Sequence, residues 1–242
     1  MKSVARGRRL VLFISALILA INFMSFNCLA EENKKVILID PGHGGMDGGA
    51  VSKSGVNEKD INLKIGLLLK GELESMGYEV CMTRESDEGL YSDNGTVRQK
   101  KIEDLNKRCN MKKNSNCDLF ISIHIDKFQD PKLCGIGAWY SNNPESEKLA
   151  NIIHENIKKD VNEKNKRLPK PAKEAYKVLR CNDTMPGIIM ECGFISNPKE
   201  LENLVNSDYQ KLLATTFAKS IKQYFEGYEV KVEEEKVDSG IN

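Results

Sequence analysis

The chain has little net charge. Its 242 residues include 36 lysines and arginines and 35 aspartates and glutamates, giving a formal net charge of +1 at pH 7. Without the four basic residues among the first thirty, 32 basic and 35 acidic residues remain, a net charge of −3. Because a nucleic-acid partner normally requires a strongly basic face, no such partner is expected.

Two glycine-rich fingerprints of nucleotide binding are also missing. The segment from Gly42 to Gly45 is rich in glycine, but Asp47 stands where the dinucleotide pattern requires a third glycine, and no Gly-Lys-Ser/Thr follows. Glycines would instead let the backbone bend tightly beside a ligand, and a purely structural turn is the alternative.

The cysteines show neither a CxxC pair nor a regular spacing. An exported protein could join six of the seven as disulfides, but a chain of this length with 40% hydrophobic residues can bury a core without cross-links. We therefore expect free, mostly buried thiols. The seven are Cys28, Cys81, Cys109, Cys117, Cys134, Cys181 and Cys192.

The first thirty residues differ from the rest. A basic start precedes an apolar run from Leu10 to about Phe23, and small residues follow before Glu31. Residues 1–30 are therefore predicted to be a signal peptide or, since the apolar stretch approaches spanning length, a retained membrane anchor. Either predicts export from the cytoplasm. Residues 34–227 are expected to form one domain, and residues 228–242 a charged, disordered tail.

Three short apolar runs each end at a polar residue that could serve in a metal site. Such unbroken runs are typical of strands buried on both faces of a parallel sheet. Open α/β sheets bind ligands just beyond the carboxyl ends of these strands. The runs are Val36–Ile39 before Asp40-Pro-Gly-His43, Leu119–Ile123 before His124, and Ile188–Met190 before Glu191.

Further elements are predicted from apolar periodicity and capping residues. Helices are expected from about Glu58, over residues 99–113, after Asn143, after Asn197 and over residues 207–225. The other predicted elements are strands over residues 79–83 and 176–180, an edge strand over residues 135–140 and a surface loop over residues 158–173.

The chain has only three histidines, and two of them, His43 and His124, follow predicted strands. Together with Glu58 they form a candidate His₂Glu set for one catalytic zinc ion, which commonly takes three protein ligands and a water. Glu58 would begin a helix, whose positive end favours a carboxylate. Glu191 is the candidate general acid/base. One strand-end histidine alone is more often structural, but two with two glutamates favour a metal site.

Other residues are weaker candidates. Asp40 or Asp47 could hold the distal nitrogen of a histidine ligand. The third histidine, His154, is expected to be a bystander. The basic segment 158–173 is read as a solvated face or a contact for an anionic glycan or partner. Trp139 and Tyr140 would pack at the sheet edge or line a sugar groove.

Five motifs of the sequence resemble those of the zinc-dependent N-acetylmuramoyl-L-alanine amidases of the type 3 catalytic domain. The resemblance extends from about Val36 to Phe225. The resemblance implies that His43, Glu58 and His124 bind Zn²⁺ and that Glu191 is catalytic, and it makes Arg180 a candidate beside the substrate. It also implies a single α/β domain with a mainly parallel six-stranded sheet flanked by helices on both faces. The motifs are Asp40-Pro-Gly-His-Gly-Gly, Thr83-Arg-Glu-Ser-Asp87, Asp118-Leu-Phe-Ile-Ser-Ile-His124, Val178-Leu-Arg180 and Glu191-Cys-Gly-Phe-Ile-Ser-Asn197.

The leader, the single domain and the stretch from Tyr91 to Arg108 resemble the germination-specific amidases of spore formers. This implies hydrolysis of the amide between N-acetylmuramic acid and L-alanine in the spore cortex, outside the cytoplasm. A peptidoglycan deacetylase would then complete the muramic δ-lactam. In some clostridial relatives a partner lipoprotein supports activity. One position departs from the family: Asp126 replaces a common asparagine and could weaken zinc retention, which a partner would then restore.

Three other functions stay open. A vegetative autolysin in cell-wall remodelling shares the chemistry, although no wall-anchoring repeat is present. A non-catalytic peptidoglycan-binding subunit would share the fold. A metallocarboxypeptidase would differ in its products, because an amidase frees the whole stem peptide with a new L-alanine amino end.

Overall fold

The computed structural model describes residues 34–230. The predicted leader, residues 1–30, and residues 231–242 of the predicted tail lie outside the described residues. None of the helices within residues 34–230 combines the length and the apolar character needed to cross a bilayer.

Six strands form one sheet in the order β2-β1-β3-β6-β4-β5. Every neighbouring pair is parallel except β4 and β6, which are antiparallel. The predicted single α/β domain with a mainly parallel six-stranded sheet is confirmed. The strands are β1 Val36–Pro41, β2 Glu79–Met82, β3 Leu119–Asp126, β4 Gly137–Tyr140, β5 Lys170–Pro171 and β6 Gly187–Phe194.

Six α-helices occur within residues 34–230, four of them between strands and two after β6, and polar caps define where several begin. Thr96 and Gln99 form a reciprocal capping box at the start of α2. Asn143 and Asn197 each cap a helix whose first residue is proline, as their sequence predicts. The helices are α1 Glu58–Ser75, α2 Val97–Asn114, α3 Pro144–Asn156, α4 Lys177–Arg180, α5 Pro198–Val205 and α6 Ser207–Phe225.

The sheet carries a hydrophobic core on each face. Successive side chains of a strand point to opposite faces, so Ile37 and Ile39 of β1 pack in one cluster and Leu38 in the other. The first cluster includes buried residues of α1, α3 and α6. The second includes Val178 and Leu179 of α4. Burial on both faces explains why the central strands β1, β3 and β6 are apolar without alternation.

Three predicted elements are wrong. Residues 176–180 form the short helix α4 from Lys177, not a strand. A short apolar run does not distinguish the two, and here the carbonyl groups at its end are taken by the side chain of Lys112. The predicted surface loop 158–173 contains a π-helical turn, Ile157–Val161, and strand β5. Strand β4 is therefore not an edge strand, because β5 pairs with its outer side.

The expectation of free thiols is wrong for one pair. Cys109 of α2 and Cys181, which follows α4, form a disulfide across a sequence separation of 72 residues. Two cysteines so far apart in the chain form no spacing motif from which their pairing could be predicted. Among the described residues, Cys117 and Cys192 are free and buried, Cys81 is half-buried and Cys134 is free and exposed.

Reduction of this disulfide is expected to destabilise the protein by about 4 kcal/mol, because it releases the constraint on a long loop of the unfolded chain. The measurement is denaturant unfolding with and without dithiothreitol. The variant Cys109→Ser is the control and should show no response to the reductant. Equal stability of the wild type in both conditions would contradict the prediction.

Candidate metal centre and active site

The candidate site lies at the carboxyl ends of three adjacent strands. His124 of β3 and Glu191 of β6 are direct partners in the parallel register. His43 follows β1, two residues after its end at Pro41. The sheet therefore brings together three residues that are far apart in the chain, as the position of ligand sites in open α/β sheets predicts.

His43, Glu58 and His124 offer ligand atoms that all lie within 4.8 Å of one another. The Nε2 atom of His43 is 3.3 Å from Oε2 of Glu58, and Nδ1 of His124 is 2.9 Å from Oε1 of the same carboxylate. Two imidazoles and one carboxylate are a donor set that suits zinc. Among the described residues, this is the one group of three or more such side chains close enough to share an ion.

Glu58 is fixed at the first residue of α1 and is only 3% exposed. Its carboxylate accepts hydrogen bonds from the backbone N–H groups of Ala50, at 2.7 Å, and Ile125, at 3.0 Å. One turn further along α1, Asn62 donates to the carboxylate at 3.2 Å and to the carbonyl of Gly42 at 3.2 Å. A carboxylate with so many donors is fixed in direction before any ion binds.

Asp47 holds the other side of the His43 imidazole. Its Oδ2 atom is 3.0 Å from Nδ1 of His43, and because a carboxylate only accepts, this contact places a proton on Nδ1 and turns Nε2 toward Glu58. Lys101 of α2 in turn donates to Asp47 at 3.1 Å. Asp40, the alternative partner, is buried elsewhere: it accepts from Thr83, Ser122 and Arg108, and no hydrogen bond joins it to a histidine.

Two buried arginines hold the loop that carries His43. Arg84 donates to the carbonyl groups of Pro41 and Gly42, and Arg108 donates to those of Pro41 and His43. His43 has a φ of 63°, which is uncommon for a residue with a side chain. The arginine contacts therefore support a conformation that the loop would not favour by itself.

The electrostatics of this cluster favour a cation. Burial opposes protonation of His43, but the hydrogen bonds that its ring donates to Asp47 and Glu58 outweigh it and raise the pKa of His43 to about 9. Burial opposes ionisation of Glu58, yet contact with both imidazoles lowers its pKa far below the usual range. The site thus attracts positive charge, and a divalent ion could take the place of the bound proton. The residues present fit a zinc ion.

Glu191 lies beside this cluster and is 8% exposed. Burial, with added repulsion from Asp126 and Glu58, raises the pKa of Glu191 to about 7 although His124 opposes the shift. A carboxyl group with a pKa near neutrality can both accept and return a proton, which is the requirement for a general acid/base.

Comparison with known proteins decides the family. Residues 37–223 match the family model described as N-acetylmuramoyl-L-alanine amidase. The chain belongs to the N-acetylmuramoyl-L-alanine amidase family.

Individual relatives agree with this assignment. The germination-specific N-acetylmuramoyl-L-alanine amidase of Bacillus subtilis is 37% identical over 194 residues, 79% of this chain and 80% of the relative. The CwlD amidase of Clostridioides difficile, solved in complex with the GerS lipoprotein, has a TM-score of 0.78 and 38% identity, over 81% of this chain and 100% of that chain. A probable cell wall amidase, LytH of Staphylococcus epidermidis, is 31% identical over 79% of this chain and 58% of its own length. The amidase activity expected from the sequence is confirmed.

The remaining candidate residues predicted from the sequence are Asp126, Arg180 and His154, and they differ in their position relative to the metal centre. Asp126 accepts a hydrogen bond from Arg167 at 2.8 Å, and no hydrogen bond joins it to His43 or His124. Arg180 lines a cavity of about 330 Å³ that His43 and His124 also line. His154 is buried in α3, away from the cluster, and burial lowers its pKa.

Trp139 and part of the basic segment, residues 166–168 and 170, line a second groove. Trp139 lines this groove of about 270 Å³ together with Arg167 and Lys170, while its ring packs 5.6 Å from that of Tyr176. Tyr140 donates its hydroxyl to Glu147 at 3.0 Å. Trp139 therefore lines a groove and Tyr140 packs against the core, and neither lies at the sheet edge because β5 pairs with both.

Three supporting residues of the amidase site have no role in the sequence-based prediction: Asn62, Arg84 and Arg108. Asn62 stands four residues after Glu58, a spacing that places both side chains on one face of a helix and could have indicated a contact. Arg84 lies in a family motif, but the motif alone does not show that its side chain is buried beneath the loop of His43.

Replacing Gly42 with alanine is expected to displace the ring of His124. A Cβ atom at position 42 would lie 2.2 Å from both Cε1 and Nε2 of that ring, a distance that no side chain tolerates. We expect at least a tenfold loss of zinc affinity, as for other changes that misplace a ligand. Zinc titration measures it, with Gly71→Ala as the control because nothing lies within 4 Å of a Cβ atom there. Equal affinity of both variants would contradict the prediction.

Proposed function

We propose that this amidase uses one zinc ion, bound by His43, Glu58 and His124, to hydrolyse the amide between N-acetylmuramic acid and L-alanine in spore cortex peptidoglycan. The observation that supports it best is the convergence of three ligand atoms within 4.8 Å from a loop, a helix start and a strand end. The vegetative and non-catalytic alternatives are outcomes of the tests below.

The residues of this chain divide the reaction between them. Zinc, when bound, supplies a Lewis acid that polarises the amide carbonyl and makes an attacking water more acidic. Asp47 keeps the His43 imidazole in one tautomer and orientation. Glu191 takes a proton from the attacking water and returns it to the nitrogen of L-alanine as the carbon–nitrogen bond breaks. Its raised pKa suits it to both transfers.

The place of action and the partners are proposed from relatives. A germination-specific amidase is 37% identical to this chain, which supports action on the cortex, outside the cytoplasm, after export by the leader in residues 1–30. The CwlD amidase was solved with a lipoprotein, which supports a lipoprotein partner here. A peptidoglycan deacetylase would act on the product in the same sequence of reactions, toward the muramic δ-lactam.

Product analysis tests the reaction. Zinc-loaded protein is incubated with cortex peptidoglycan, and the products are identified by mass spectrometry. We expect intact stem peptides with a free L-alanine amino end, and spores lacking the protein should contain no muramic δ-lactam. Release of single C-terminal residues would indicate a carboxypeptidase, and no release a non-catalytic subunit. Normal δ-lactam in the mutant spores would indicate a vegetative role.

A further inference from the structure

The cavity of about 330 Å³ extends the candidate site away from the zinc ligands. His43 and His124 line it together with residues of α2 and with residues 175–178 and Arg180. Its volume lies at the lower end of the range for small-molecule sites, so it has room for a short segment of a substrate and not for a glycan strand.

Most charged groups in this cavity are already paired. Arg108 donates to Asp40 and Asp104, and Lys101 donates to Asp47. These pairs use every carboxylate that lines the cavity. Two further cations line it, Lys177 and Arg180 of α4, and neither pairs with these carboxylates.

Lys177 contacts the neutral amide oxygen of Asn106. Arg180 donates to the backbone carbonyl of Glu174, and the carboxylate of Glu174 is 4.0 Å away and 80% exposed, where water screens it. A guanidinium has five N–H donors in a planar fork. Arg180 therefore has free N–H donors that can bind a carboxylate other than that of Glu174 in a bidentate manner.

The wall that carries Arg180 is held firmly. The next residue, Cys181, is joined by the disulfide to Cys109 of α2. Asn182 donates to the carbonyl of Cys109 at 2.8 Å. Lys112 of α2 donates to three carbonyl groups of residues 178–181. Because the backbone at Arg180 is already ordered, binding an anion there costs little conformational entropy.

The covalent structure of the substrate shows on which side of the scissile amide a negative charge lies. The carboxyl group of the muramic lactyl side chain is consumed in the scissile amide, so the sugar offers no charge beside the bond. The stem peptide carries a free carboxylate on its second residue when that residue is D-glutamate. A cationic wall next to the zinc ligands therefore matches the peptide side of the bond.

We propose that the cavity between α2 and α4 binds the stem peptide and that Arg180 recognises the free carboxylate of its second residue. This inference rests on the proposed function. It makes Arg180 a residue that determines specificity, with Lys177 as an additional source of positive charge. The enzyme would then prefer stem peptides in which this carboxylate has not been converted to a carboxamide.

Two synthetic N-acetylmuramoyl tetrapeptides test it, identical except that the second residue is D-glutamate in one and D-isoglutamine in the other. The zinc-loaded full chain should cleave the carboxylate form with a kcat/KM about tenfold higher, the size expected of a charge-assisted contact on a half-exposed arginine. Arg180→Gln should remove this preference, mainly through KM, and Arg180→Lys should restore part of it. Arg98→Gln, an exposed arginine of α2 outside the cavity, is the matched control.

The ratio between the two substrates does not depend on the amount of folded protein, so a poorly folding variant still gives an answer. Equal rates of the wild type on both substrates, or a preference that survives in Arg180→Gln, would overturn the inference while leaving the amidase function intact. Cleavage of neither substrate by the wild type would instead overturn the proposed function, and this inference with it.

Discussion

Glu191→Gln is expected to lower kcat by a factor of about 10² to 10⁴, the contribution typical of a positioned general acid/base. Glutamine has nearly the same shape but cannot accept a proton at neutral pH. Zinc content and the fold should be unchanged, because Glu191 is not among the three side chains that converge on the ion. The measurement is release of stem peptide from a defined muropeptide at saturating substrate.

Glu202→Gln is the matched control, because this glutamate is exposed on α5. The control should retain wild-type kcat. A wild-type rate in Glu191→Gln would remove Glu191 from the mechanism, and a loss of zinc in that variant would show that its role is structural.

The thermal stability of the metal-free Glu191→Gln variant gives a second test, because the pKa of Glu191 is raised. Because burial raises the pKa of Glu191 from 4.5 to about 7, the folded state binds this proton more tightly than the unfolded state. The resulting stabilisation is present below the unfolded pKa and is lost as the pH rises through about 7. Glutamine does not ionise, so the Tm of the variant relative to that of the wild type should rise between about pH 4.5 and about pH 7 and stay higher by a constant amount above that range.

Glu58→Gln is expected to weaken zinc binding by more than about 100-fold and to abolish activity, a larger effect than the loss of a residue that only supports a ligand. The change removes the negative charge that faces both imidazoles at 2.9 and 3.3 Å. It keeps the shape of the side chain, so the backbone contacts of Ala50 and Ile125 can persist in part. Metal content after dialysis against a mild chelator measures the effect.

Asp60→Asn is the control for this experiment, since Asp60 is an exposed acid in the same first turn of α1. It should retain the zinc content of the wild type. A full equivalent of zinc in Glu58→Gln would contradict the assignment of Glu58 as a ligand. Loss of zinc from the wild type under the same dialysis would support the hypothesis of weak retention restored by a partner.

The positions of His124 and Glu191 could be predicted from the sequence because parallel strands align their carboxyl ends. Once Leu119–Ile123 and Ile188–Met190 are read as strands, His124 and Glu191 are expected at the same edge of the sheet, and the register pairs them directly. His43 and Glu58 could be added because few residue types bind zinc and the resemblance to the family implies both as ligands. These inferences use local pattern, that resemblance and the general geometry of open sheets.

The remaining features depend on contacts that no local pattern encodes. Arg84 and Arg108 look like exposed charges in the sequence, and only the tertiary structure buries them against the loop of His43. The sequence pattern predicts a strand where α4 forms, because these four residues are stabilised as a helix from outside, by Lys112 and by the disulfide at Cys181. Tertiary contacts decide the conformation of so short a segment.

The most direct test of the account is a crystal structure of the zinc-loaded protein with anomalous diffraction data on both sides of the zinc absorption edge. The account predicts one strong anomalous peak, at about 2.0 to 2.2 Å from a nitrogen of His43, a nitrogen of His124 and a carboxylate oxygen of Glu58, with the carboxyl group of Glu191 facing the remaining position. A peak bound by other side chains, or no peak at these three residues, would contradict it.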